Sequence, residues 1–177
     1  MIDAHVHETL NLKEGLEALS KVEQPYNPLL ALTFLDKYHD LESLLKLSKK
    51  QRFAIKEITS IHTQTYQEGF RPEQLFMHQK DFCLLANQFN QMLGDEDREL
   101  VIYDLDKNLA IRKVCDLAFK GEDIIKLFKI KNRVHIGMII DELILKVLYQ
   151  TTPNTYEALK EEAIKIKEQL ESSDIHV

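Results

Sequence analysis

A chain of 177 residues is long enough for one domain, or two small ones, with a real core. Its 44% hydrophobic and 29% charged residues are ordinary for a soluble globular protein, and five Gly and four Pro leave little material for a turn-rich β fold. A formal net charge of −6 excludes a uniformly basic nucleic-acid binder but leaves room for a local basic face.

Met1-Ile2-Asp3 opens acidic with no apolar core behind it, so no signal peptide is read there. Asn11 and Glu14 have capping-box spacing, with Leu12, Leu16 and Leu19 on one face behind them, until Pro25 and Pro28 end the element. The next helix starts at Leu29 and is expected to turn Leu32, Leu35 and Tyr38 inward. Asp40 can cap a short helix carrying Leu41, Leu44 and Leu45. Ser48 and Gln51 form the clearest start signal of the first half, opening a helix through Ile55, Ile58, Ile61 and Thr65 that Gly69 should stop. Pro72 suits a first helical position. One continuous helix is then expected from there to Gly94, with Leu75, Phe76, Gln79, Phe82, Cys83, Ala86, Phe89 and Leu93 on one face.

The acidic run Asp95 to Asp106 reads as one more helix and divides the chain into a region of residues 1–105 and one of residues 106–177. Beyond it, Gly121 breaks a short apolar turn, and Asp123 opens a helix carrying Ile124, Ile125, Leu127 and Phe128. A basic connector follows. Ile136, Gly137 and a face of Ile140, Leu143 and Val147 then form a long apolar helix. Asn154 and Glu157 give a second capping box, behind which Tyr156, Leu159, Ala163, Ile166 and Leu170 face inward. The pattern as a whole predicts an all-α protein of about eight helices in two small lobes. Cys83 and Cys115 both sit in apolar surroundings and are expected to be buried, reduced and inert. No stretch approaches the roughly 20 apolar residues of a membrane helix, so the expectation is a cytoplasmic protein with no membrane partner.

Three short patterns invite a catalytic reading, and each has a plainer one. His5-x-His7 could begin a metal-dependent barrel, but the strands and length such a barrel needs are missing. His39-Asp40, with His62, His78 and Asp81, could serve a helical metal phosphohydrolase, although Asp40 already suits a helix cap. Asp104-x-Asp106 would point two carboxylates the same way only in a strand, and no phosphate loop precedes it. No catalytic and no metal-ligating residues are assigned. What remains is the basic elbow between two helices. Arg112, Lys113, Lys120, Lys126, Lys129, Lys131 and Arg133 are the candidate anion contacts, joined by helix N-terminal N–H groups near His135 to Gly137.

From about Leu29 to Leu170 the chain resembles the C-terminal helical part of bacterial CCA-adding enzymes (tRNA nucleotidyltransferases) and their poly(A) polymerase relatives. The resemblance is carried by Leu109-Ala110-Ile111, Asp116-Leu117, Gly121-Glu122-Asp123-Ile124-Ile125 and Ile136-Gly137 followed by Ile140. Leu143 to Tyr149, Asn154 as the cap of a final helix, and Leu44 with Leu47-Ser48-Lys49-Lys50 upstream add to it. Many relatives carry Gly-Pro just before the Ile-Gly, where this chain has Arg133-Val134. The resemblance implies the body and tail regions, which grip the acceptor stem and T-arm of tRNA. It also implies a catalytic head, as a further domain or subunit, to which Mg2+ and ATP or CTP would belong; no cofactor is expected in this chain. A stand-alone helical protein-interaction module derived from the same tail is the alternative, and the metal phosphohydrolase the more distant one.

Overall fold

The computed structural model describes residues 27–38, 46–129 and 133–174. All eight α-helices among them lie in an all-α fold without strands: α1 Pro28–Tyr38, α2 Lys49–Thr65, α3 Pro72–Met77, α4 Lys80–Met92, α5 Glu99–Lys107, α6 Gly121–Phe128, α7 Arg133–Leu148 and α8 Tyr156–Asp174. The chain divides into two compact units, Met1–Asp106 and Lys107–Val177. The capping boxes expected at Asn11, the helix capped by Asp40, the His5-x-His7 and His39-Asp40 patterns and Lys131 lie outside the described residues. Among the described residues no helix is long and apolar enough to cross a membrane.

In the first unit α2 and α4 form the central pair and α1 lies across both. α2 begins where the sequence marks it: the Ser48 Oγ accepts from the Gln51 N–H at 3.3 Å, and the Gln51 Oε1 accepts from the Ser48 N–H at 2.9 Å. Its apolar stripe buries Ile55, Ile58 and Ile61 against Cys83, Ala86 and Phe89 of α4. Burying a side chain of that size contributes about 1.5–3 kcal/mol, so this stripe is the main source of stability in the unit. His62 sits inside it, its ring 5.0 Å from that of Phe89 and its Nδ1 2.7 Å from the Asn90 Oδ1. The Asn90 Nδ2 donates in turn to the Thr65 Oγ1 at 3.0 Å, so the buried polar groups satisfy one another.

Three local expectations shift. The buried apolar residues of α1 are Leu30, Ala31 and Phe34, with Phe34 edge-on to Phe89, whereas Leu32 and Leu35 are only half-buried. The helix is apolar nearly all round, so periodicity alone leaves its rotation open. α2 ends at Thr65, four residues before Gly69, because the Gln67 N–H is drawn to the Asp95 carboxylate at 2.9 Å while Gln67 takes φ 63°. The expected long helix from Pro72 is two helices. His78 and Gln79 are extended between them, and the His78 Nδ1 lies 2.7 Å from the Glu57 Oε2 of α2.

In the second unit α6, α7 and α8 enclose Ile111, Leu117, Phe119, Ile124, Ile139, Leu143, Val147, Leu159, Ala163 and Ile166. Lys146 of α7 reaches Glu162 of α8 at 3.0 Å, and Lys165 shares the same carboxylate. The hydrogen bond from Lys146 holds Glu162 below the usual carboxylate range, and Glu162 raises Lys146 in return.

Candidate nucleic-acid interface

The basic residues are set on a frame of buried apolar anchors. Ile111, Leu117 and Phe119 are buried, which forces the residues between them outward. Arg112, Lys113, Val114, Cys115 and Asp116 are all exposed. The Asp116 Oδ2 accepts the backbone N–H of both Arg112 and Lys113 at 2.9 Å, closing a short 3-10 turn over Val114–Asp116. These bonds, that from Arg112 foremost, hold the Asp116 carboxyl below its usual range.

That turn is fixed to the start of α8. The Asn154 Oδ1 accepts from the Ala118 N–H and its Nδ2 donates to the Asp116 carbonyl, both at 2.9 Å. Phe119 lies edge-on to Tyr156 at 5.2 Å. Asn154 is therefore not the cap of the final helix, as its spacing from Glu157 suggested. Thr155 takes that place, its Oγ1 accepting from the Ala158 N–H at 3.4 Å. Both polar ends of the Asn154 amide are already used in holding the turn.

Lys120 precedes α6, and its N–H donates to the Asp123 Oδ2 at 3.0 Å, which sets the entry of the helix. Lys126 lies in the last turn of α6, and Lys129 ends it in the left-handed conformation, φ 55°, with its N–H on the Ile125 carbonyl. Arg133 opens α7. The first turn of that helix is Arg133 to Ile136, so the N-terminal N–H groups lie earlier than the expected His135 to Gly137. Lys120, Lys126, Lys129 and Arg133 are all exposed.

The six candidates among the described residues do not form one cluster. Arg112, Lys113 and Lys120 belong to the end of the unit near Asn154 and Tyr156. Lys126 and Lys129 flank Phe128, over whose ring the Lys167 Nζ lies at 5.5 Å. Tyr156 and Lys167 are eleven residues apart on α8, about 16 Å along its axis. Lys167 is a cation absent from the candidates read from the sequence. It reaches the Phe128 ring because α6 and α8 both pack on α7.

Three of the other candidate groups, Asp106, His62 and His78, are occupied in structural contacts. Asp104 and Asp106 lie in helix α5, where residues two apart point to different sides, and Asp106 pairs with Lys80 at 3.0 Å. His62 and His78 are engaged with Asn90 and Glu57. Among the described residues no three His, Cys, Asp or Glu side chains converge as metal ligands would. Burial pushes the Cys83 thiol up to about 12, whereas Cys115, expected inside, is exposed on the basic turn.

The family model for tRNA nucleotidyltransferase domain 2 matches residues 19–163, well over half of the chain. The chain belongs to this family. No curated protein and no solved structure gives a match. The tRNA nucleotidyltransferase domain 2 match takes in the Asp116 turn, the elbow and Asn154, and stops within α8 before Lys167.

Proposed function

We propose that this chain is a tRNA-binding part of a CCA-adding or poly(A) polymerase-type nucleotidyltransferase, holding the acceptor stem and T-arm while a catalytic head carries out nucleotide transfer. The observation that carries the reading is the gathering of exposed Lys126, Lys129 and Arg133 at one elbow, with Lys167 beside it, in a chain of net charge −6. A concentrated cationic patch on an acidic protein suits a backbone-reading contact, because each neutralised phosphate releases counterions. Lys131 falls in the same connector and is assigned the same role. Mg2+ and ATP or CTP are assigned to the head, since phosphoryl transfer needs converging carboxylates, and Asp106 is already paired with Lys80.

The test is tRNA binding by the full chain, begun at low salt because the acidic remainder repels RNA. Changing Lys129, Lys131 and Arg133 together to Ala should lower the slope of log affinity against log salt by about two to three, with helicity unchanged. An unchanged affinity and slope would reduce the elbow to a solvated surface. Incubation with tRNA, Mg2+, ATP and CTP should give no 3′ extension, and extension by the chain alone would overturn the division of labour.

A second reading rests on a separate observation. Val134, Met138 and Leu145 of α7, with Tyr149 just beyond its end, are exposed, and their spacing places them along one side. Such a stripe suits a helical protein-interaction module. Chain that binds no tRNA at any salt, and loses association with a protein partner on Met138→Lys, would favour it.

A further inference from the structure

We propose that the Arg112–Asp116 turn is a preorganised phosphate contact on tRNA, separate from the elbow, and that Asn154 is its positioning residue; the inference rests on the tRNA-binding reading above. An exposed basic pair on a loop ordinarily loses affinity to disorder, because the side chains and the backbone beneath them must be ordered on binding. Here the backbone part of that ordering is already done. The Asp116 carboxylate binds the Arg112 and Lys113 N–H groups, and both ends of the Asn154 amide bind the chain on either side of Leu117. Leu117 and Phe119 are buried beneath it.

The Asp116 carboxylate is engaged first by backbone donors and only last by the Lys113 charge. Its Oδ2 is directed at two backbone donors and its Oδ1 at the Cys115 Sγ, 3.8 Å away. Arg112 and Lys113 keep exposed side chains. Backbone phosphate is the ligand they suit, since the turn itself presents two cations and no aromatic ring, and the nearby Tyr156 ring is packed edge-on against Phe119. The turn is tied to Asn154 just before α8, and Lys167 lies about 16 Å along that helix from Tyr156, so the second unit would hold two separate grips on one RNA.

The exposed Cys115 lies within the turn and reports on it directly. With the full chain and unfractionated tRNA, alkylation of Cys115 should slow several-fold on binding, while Cys83 stays unreactive with or without RNA. Arg112→Ala with Lys113→Ala should lower the salt slope by about one to two. Asn154→Ala, which removes no charge, should lower it in the same direction. Added to the Arg112 and Lys113 pair, Asn154→Ala should weaken binding no further, the mark of a residue acting through others. Additive losses would overturn the positioning role. A tRNA complex in which Cys115 is alkylated at the free rate would overturn the turn as a contact and leave the elbow standing. A wild-type chain that binds no tRNA would instead overturn the reading on which both rest. The footprint on Cys115 uses the unmutated chain, so it decides the matter even if Asn154→Ala fails to fold.

Discussion

Cys83 and Cys115 have the same chemistry in opposite surroundings. Cys83 is buried in α4, its thiol pushed up by burial first and by the nearby Glu57 and Asp106 charges second, so almost no thiolate forms near neutral pH. Cys115 stands in water on the Val114–Asp116 turn. The native chain should therefore react with one equivalent of a thiol reagent quickly and release the second only on unfolding. Two fast thiols would mean that α4 does not pack on α2 as described. The sequence suggested burial for both from the apolar residues beside them, Val114 and Leu117 for Cys115 and Phe82 and Leu84 for Cys83. What distinguishes them is long-range: Asn154 fixes the chain on the far side of Asp116, 38 residues away, and no local pattern carries that information. Asn154 was misleading for the same reason. A residue with the spacing of a cap is free to serve another loop when a neighbouring threonine can cap instead.

At the scale of the helix, start and stop signals were legible wherever a side chain meets its own backbone. The Ser48–Gln51 box and Pro72 at the first position of α3 are both of that kind. The break between α3 and α4 was not legible, because Met77, His78 and Gln79 contain no glycine or proline. Its cause lies in α2, where Glu57 binds His78. The end of α6 is a different case. Lys129 takes the left-handed conformation that glycine adopts without strain, so a charged side chain is held there at a cost in stability. Lys129→Gly should raise stability by roughly 0.5–1 kcal/mol after allowing for the greater freedom of glycine in the unfolded chain. The same change should weaken tRNA binding, because it removes an elbow cation. Denaturant titration and salt-dependent binding measure the two separately. Both quantities moving in the same direction would contradict this account of the elbow.

Over the whole molecule, several carboxylates are held below their ordinary range, and they do so in both units. Asp95 is the most enclosed of them. Arg98 donates to it at 2.6 Å, the backbone N–H groups of Gln67 and Glu96 add to that, and together they outweigh the opposing effect of burial. Asp97 is lowered chiefly by the Asn87 amide, and Asp116 and Glu162 by Arg112 and Lys146. A carboxyl whose folded pKa lies below its unfolded value contributes stability above the unfolded pKa, about 4, and loses it as pH falls through the folded one. Lys146 has the opposite sense: its folded pKa is raised, so its contribution is complete below about 10.4 and fades at higher pH. The thermal midpoint should therefore hold a plateau from about pH 5 to about pH 8.5, fall on the acid side below about 4, and fall on the alkaline side as the Cys83 thiol ionises in the unfolded chain but not in the folded one. Asp95→Asn keeps an acceptor for Arg98 but cannot ionise. It should lower the plateau and make the acid fall shallower, so that its curve approaches the wild-type curve at low pH. Two curves that stay parallel down to pH 2 would show that the Asp95–Arg98 contact contributes no proton-linked stability. The chain from α2 through Gln67 to the start of α5 would then have to be held by its hydrogen bonds to Asn87 and by apolar packing alone.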